Sequence, residues 1–180
     1  MKTALILIDV QMAMFLDPSP LWRGEETLAT ISSLLTRARA ADIPVFHVQH
    51  DGAATSDPEL ARGSEGWRFC PLTSPLIGEV VIEKRHYSAF QNTDLHQHLK
   101  SIAVDHLVIA GMQTECCVDT ACRVAASMDY RVTLVENGHT TFDGPDLTAA
   151  QIIAHHNRRL ARGFAQVKSA EDIEFHRATD

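Results

Sequence analysis

Residues 4–10, Ala-Leu-Ile-Leu-Ile-Asp-Val, are apolar at every position except Asp9. An apolar run this short fits a strand buried on both faces, and such strands belong to parallel sheets covered by helices. Residues 43–49, 79–85, 106–110 and 131–135 read as further strands, and residues 164–167 as a last one. Helical patterns lie between them. Leu28, Ile31, Leu35 and Ala38 mark a helix over residues 25–41, and shorter ones are expected over 93–100 and 119–128. A further helix is expected over 147–160 with Asp146 as its cap, then a helical turn over 170–175. The stretch holding Asp17, Pro18 and Pro20 reads as irregular. Strand–helix alternation predicts an α/β protein, a three-layer α/β/α sandwich around a mostly parallel, doubly wound sheet. No repeat or linker divides it, so one domain is expected over residues 1–180.

The ends of three strands carry chemistry. Asp9 closes the first, Lys84 closes the strand at 79–85, and Cys117 follows the strand at 106–110 in the sequence Gly-Met-Gln-Thr-Glu-Cys-Cys-Val. Open α/β sheets bind ligands outside the carboxyl ends of their strands. Read alone, each residue has a plainer role: a turn cap for Asp9, a solvated charge for Lys84, a small buried apolar group for Cys117. Read together, they describe a site. Cys117 is expected on the first turn of the helix that runs on through 119–128, where unpaired N–H groups and a partial positive charge would favour a thiolate and could hold an oxyanion.

With these segments in hand, the chain resembles the isochorismatase-like cysteine hydrolases. The resemblance rests on ALILIDVQ with Phe15 downstream, on EKRHYSAFQNTDL, and on GMQTECCVDTACRVAASMDYRVTLVEN, and it covers residues 4 to about 167. It implies an Asp–Lys–Cys triad carried by Asp9, Lys84 and Cys117, with Cys116 merely its neighbour in the motif. It also implies a non-proline cis peptide between Met112 and Gln113. The family includes nicotinamidases, N-carbamoylsarcosine amidases and isochorismatases, so the substrate stays open. Isochorismatase members lack the cysteine, and its presence favours hydrolysis of an amide or other C–N bond over vinyl-ether cleavage.

The chemistry expected from this resemblance is a general base, Asp9, taking the thiol proton while Lys84 stabilises the charged pair. The thiolate would attack a carbonyl carbon, with the backbone N–H groups of Gln113 and Cys117 forming the oxyanion hole. Water would then release the acyl group from a thioester. Gln11, Phe15, His50, Trp67, Tyr87 and Phe90 are the substrate-binding candidates. For Trp67, Tyr87 and Phe90 a plain core role is equally open. The segment 51–78 is a long Gly-, Pro- and Ser-rich connection, and connections of that length tend to be functional or mobile.

Ten histidines raise the question of a metal. Neither His96 with His98 nor His155 with His156 puts two rings on one helix face. The metal-using nicotinamidases carry Asp-x-His after the second strand, and His47-Val48-Gln49-His50-Asp51-Gly52 lacks it. No metal and no cofactor are therefore expected, with a nicotinamidase-type metal-assisted amidase as an alternative. Gly111, Gly138 and Gly144 read as turn residues rather than a phosphate cradle.

A hydrophobic content of 45% excludes a disordered chain, and a net charge of −7 argues against nucleic acid or an anionic membrane as partner. No run spans a bilayer, and the chain starts on strand one without a signal-peptide pattern. Three of the four cysteines fall between residues 116 and 122, a poor disulfide framework. A reduced, cytoplasmic protein acting on a small molecule is expected, and the resemblance implies a homodimer or homotetramer. Two other classes compete: a binding or scaffold protein that keeps the fold without turnover, and a thiol redox protein. The lack of a C-x-x-C pattern weighs against the second.

Overall fold

The computed structural model describes residues 2–16, 21–52 and 57–176; the irregular stretch at Asp17, Pro18 and Pro20 lies outside them, as do residues 53–56 of the long connection. Its centre is a six-stranded sheet. The strands are β1 (Thr3–Ile8), β2 (Val45–His50), β3 (Val80–Lys84), β4 (His106–Met112), β5 (Arg131–Thr140) and β6 (Gln166–Lys168). Their order is β3-β2-β1-β4-β5-β6, and every pairing is parallel.

Side-chain alternation along β1 builds both layers of the sandwich. Ala4, Ile6 and Ile8 enter one apolar cluster, together with Leu95 and Leu99 of α2 (Leu95–Ser101) and Ala121 and Ala125 of α3 (Asp119–Ser127). Leu5 and Leu7 enter the other, together with Ile31, Leu34, Leu35 and Ala38 of α1 (Gly24–Ala40). Each fully buried leucine or isoleucine contributes about 1.5–3 kcal/mol, so both faces of the central strand are strongly held. β1 and β4 are neighbours, and the strand order reverses direction between them. Such a switch point opens a crevice at the carboxyl edge of the sheet.

Three expectations from sequence are corrected. β5 runs on to Thr140 rather than stopping at Val135, because a register shift between Ile109 and Gly111 lets His139 pair with Gly111 and Thr140 with Met112. The last long helix, α4 (Ala149–Leu160), is capped by Thr148 and not by Asp146. The Thr148 side chain accepts from the Gln151 N–H and the Gln151 side chain answers, closing a capping box. The segment after β4 is not the start of a regular α-helix but a π-turn, Thr114–Val118, that precedes α3.

Candidate active site

β1 ends in a sharp bend. Asp9 adopts φ +49, a left-handed conformation that aspartate tolerates better than most residues. The neighbouring strand approaches so closely that a Cβ on Gly111 would stand 2.0 Å from the Ile8 carbonyl oxygen, and Gly111 itself has φ +129. Only glycine fits there. That close approach brings the ends of β1 and β4 together, and with them Asp9 and the turn carrying Cys117. The Met112–Gln113 peptide at the start of this turn is cis.

Lys84 comes from β3, two strands away from β1, and its side chain spans the gap. Its Nζ lies 2.7 Å from Asp9 Oδ2, 3.2 Å from Cys117 Sγ, 3.1 Å from the His86 carbonyl and 3.3 Å from His50 Nδ1. An ammonium has three protons for these four acceptors. The thiol and the imidazole therefore share or exchange a donor, while Asp9 holds the shortest contact. Asp9, Lys84 and Cys117 are all buried. Asp9 Oδ1 is buried too and has no hydrogen-bond partner among the described residues.

Burial works against the charge on Lys84, yet the Asp9 carboxylate and then Cys117 outweigh it and hold the lysine above its ordinary value. Burial, followed by the charge of Asp9, pushes the Cys117 thiol well up, and Lys84 pulls back only in part. The resting arrangement is thus a carboxylate–ammonium pair beside a protonated thiol. The expectation of a thiolate favoured by a helix start is corrected. Desolvation dominates at this depth, and Cys117 sits inside a π-turn rather than on the first turn of an α-helix.

The other sequence candidates divide. His50 is buried, and burial followed by the Lys84 charge lowers its pKa, so its neutral Nδ1 accepts from Lys84. Gln11 faces the backbone, not open space. Its Nε2 donates to the carbonyls of His50 and Trp67, and its Oε1 accepts from the His50 N–H. It is a staple between β1, β2 and the long connection. Trp67 is held over the same edge, since Gln49 Nε2 also donates to its carbonyl, and its indole Nε1 is buried without a partner among the described residues. Phe15 packs beside Gly24 at the start of α1, and Phe90 lies 6.2 Å from the Tyr130 ring. Tyr87 is 65% exposed. Sequence reading missed Gln49 and His139, whose contacts to the site are non-local and carry no motif, and the role of Thr114, which lies inside the Gly-Met-Gln-Thr-Glu-Cys-Cys-Val motif.

Among the described residues, no three His, Cys, Asp or Glu side chains gather as metal ligands. Asp51 meets the Arg62 N–H and the Arg85 guanidinium. The cysteines are all free thiols. No helix among the described residues is long and apolar enough to cross a membrane.

Comparison with known proteins places the fold. The isochorismatase domain profile matches residues 3–172. A secreted isochorismatase effector from Verticillium dahliae is 29% identical, over 95% of this chain and 90% of that protein. A ureidoacrylate amidohydrolase from Serratia proteamaculans is 28% identical, over 72% of this chain and 66% of its own length. The crystal structure of an isochorismatase from Pseudomonas putida superposes with a TM-score of 0.87 at 34% identity, covering 96% of this chain and 90% of that one. With the domain profile spanning nearly its whole length and the same fold in its structural neighbours, the chain belongs to the isochorismatase family of hydrolases.

Proposed function

We propose that the protein is a cysteine hydrolase that opens an amide or other C–N bond of a small molecule through a thioester acyl-enzyme, with Asp9, Lys84 and Cys117 as its triad. The observation that carries the reading is the buried Lys84 ammonium, which bridges the Asp9 carboxylate at 2.7 Å and the Cys117 thiol at 3.2 Å. A second supports it. Leaving a buried acceptor such as Asp9 Oδ1 without a hydrogen bond costs about 1–3 kcal/mol, which a carboxylate kept only for structure has no reason to bear. The amidohydrolase among its relatives supports the choice of a C–N bond.

In this mechanism the thiol proton passes to the Asp9 carboxylate as Sγ bonds to the substrate carbonyl carbon. The carbonyl electron pair moves to oxygen, and the N–H groups of Gln113 and Cys117 receive that oxyanion. Collapse of the intermediate expels the amine, which takes the proton from Asp9. Water then adds to the thioester, giving its proton to Asp9, and the acid product leaves as the thiol is restored. Lys84 stays protonated throughout, offsetting the charge that moves between Asp9 and Cys117. The unpaired Trp67 indole N–H offers a donor to an acceptor on the bound molecule.

A screen of primary amides, carbamoyl compounds and lactams tests the reading, with intact-protein mass spectrometry to trap the acyl adduct. Turnover by the wild type, an adduct on Cys117, and loss of both in Cys117→Ala are expected. Turnover that survives in Cys117→Ala, or proceeds with no adduct on any cysteine, rules the mechanism out.

A further inference from the structure

The family reading uses Asp9, Lys84 and Cys117 but leaves a buried histidine unexplained. His139, on the extension of β5, is 2% exposed. Its Nδ1 lies 2.8 Å from Thr114 Oγ1, and its Nε2 lies 2.9 Å from Asn157 Oδ1 on α4. The Asn157 carbonyl oxygen can only accept, so Nε2 carries the ring proton. Nδ1 is then the acceptor, and the Thr114 hydroxyl donates to it. Thr114 opens the π-turn that holds Cys117. The next residue is fastened just past the end of β5, because Thr141 Oγ1 donates to Glu115 Oε1 at 2.8 Å.

We propose that His139 is a positioning residue for this turn: through the Thr114 hydroxyl it holds residues 114–117 against β5, keeping the Cys117 thiol beside Lys84. The inference rests on the triad reading above. A histidine is an expensive way to fill this space, since both ring nitrogens need partners once buried. A valine or alanine would fill the layer with no such demand, and neither could reach Thr114. Burial pushes the His139 pKa down to about 4, so the ring is neutral and Nδ1 is available at any ordinary pH. His156 acts on it in the same direction, and Asn157 opposes both. The turn is therefore clamped from α4 through β5 by an unchanging tautomer. Within the turn, the Gln113 carbonyl gathers the N–H groups of Cys116 and Val118 at 3.2 and 3.1 Å, so a shift at Thr114 moves residues 113–118 together.

The test is the pH profile of Cys117 alkylation by iodoacetamide, read by peptide mass spectrometry on the whole protein. The groups facing the thiol are Asp9 and Lys84, with Cys116 and Glu115 beside it in the turn. Held as it is, the wild-type thiol titrates above the ordinary value. In His139→Ala and Thr114→Val the released thiol should titrate near about 8.5, like a free cysteine. Thr114→Ser keeps the hydroxyl and should keep the wild-type profile. The double variant should shift no further than either single one, because both break one contact. Thr148→Ala, which weakens α4 at its cap, controls for lost stability and should leave the midpoint in place. Thr114→Val carries the test by itself if His139→Ala does not fold. A wild-type midpoint in folded Thr114→Val overturns the proposal. Lys84→Met separates the two readings: removing the one group that lowers the thiol's pKa should raise the midpoint further. An unchanged profile in that variant would count against the triad itself.

Discussion

Two carboxylates in this molecule, one half-buried and one fully buried, are treated in opposite ways. Glu79 receives four donors: Arg39 Nε on Oε1, and Arg39 Nη2, His47 Nε2 and the Leu76 N–H on Oε2, each at 2.8 Å. Asp9 receives Lys84 on Oδ2, and its other oxygen has no partner among the described residues. Burial alone would raise the Glu79 pKa, but its donors hold it down at about 2. A carboxylate with donors on both oxygens ties α1, β2 and the connection before β3 together and holds its charge rather than a proton. Asp9 keeps a free oxygen beside a protonated thiol. Saturation makes a clamp; in the proposed mechanism the unpaired oxygen is what lets Asp9 act as a base.

The largest effect should come from Cys117→Ala, which removes the nucleophile and should bring hydrolysis below detection while the melting temperature stays near that of the wild type. Asp9→Asn should follow. Asparagine keeps the shape and can still accept from Lys84, but it cannot take the thiol proton. Positioned proton transfer contributes about 10²–10⁴-fold in rate, and turnover should fall by that range with little change in substrate binding. Near-wild-type turnover in folded Asp9→Asn would erase the contrast with Glu79 and make Asp9 a second clamp.

How much of this was legible in the chain follows from how local each signal is. β1 and β4 announce themselves as apolar runs, and Asp9 and Cys117 mark their ends. Lys84 is harder, since it must cross β2 to reach Asp9, and only the strand order makes the three residues meet. Gly138 reads as a turn residue after a strand ending at Val135, yet β5 continues through it because its pairing with β4 shifts register there. That one irregularity hid His139 and its hold on Thr114. The role of Gln11 was hidden for a similar reason. Its partners are backbone groups at His50 and Trp67, and backbone partners leave no trace in side-chain pattern.

Glu79→Gln tests the clamp itself. The change strips charge from a site where Arg39 and His47 converge, and weakening hydrogen bonds to a half-buried charged group costs about 1–2 kcal/mol. Thermal unfolding should show that loss, and turnover should hold at temperatures where the variant is folded. The pH dependence has a definite sign. A depressed folded-state pKa means that the unfolded chain takes up the proton first as pH falls. The stability from Glu79 is therefore whole above its reference value of 4.5 and lost between there and about 2. Denaturant melts of the wild type should weaken over that window, and those of Glu79→Gln should weaken less. Equal slopes would mean that Glu79 is not the titrating clamp.

Cys116→Ala should have the smallest effect, and it is the finest test of the contrast because it moves the question by one residue. Cys116 shares the π-turn with Cys117 and is only half-buried. Burial, and then the neighbouring Glu115 charge, raise its pKa too, so ionisation is not what singles out Cys117. What separates the two thiols is geometry: Lys84 Nζ contacts Cys117 Sγ at 3.2 Å, while Lys84 reaches Cys116 only through space as a weaker charge. Trimming Cys116 to alanine removes one sulfur from the edge of the apolar cluster containing α3. That should cost about 1 kcal/mol or less, within the range of ordinary surface-proximal substitutions, and turnover should stay within about twofold of wild type. A dead Cys116→Ala with an active Cys117→Ala would place the reacting sulfur one residue earlier. The buried pair of Lys84 with Asp9 would then have to act on a thiol that it does not touch.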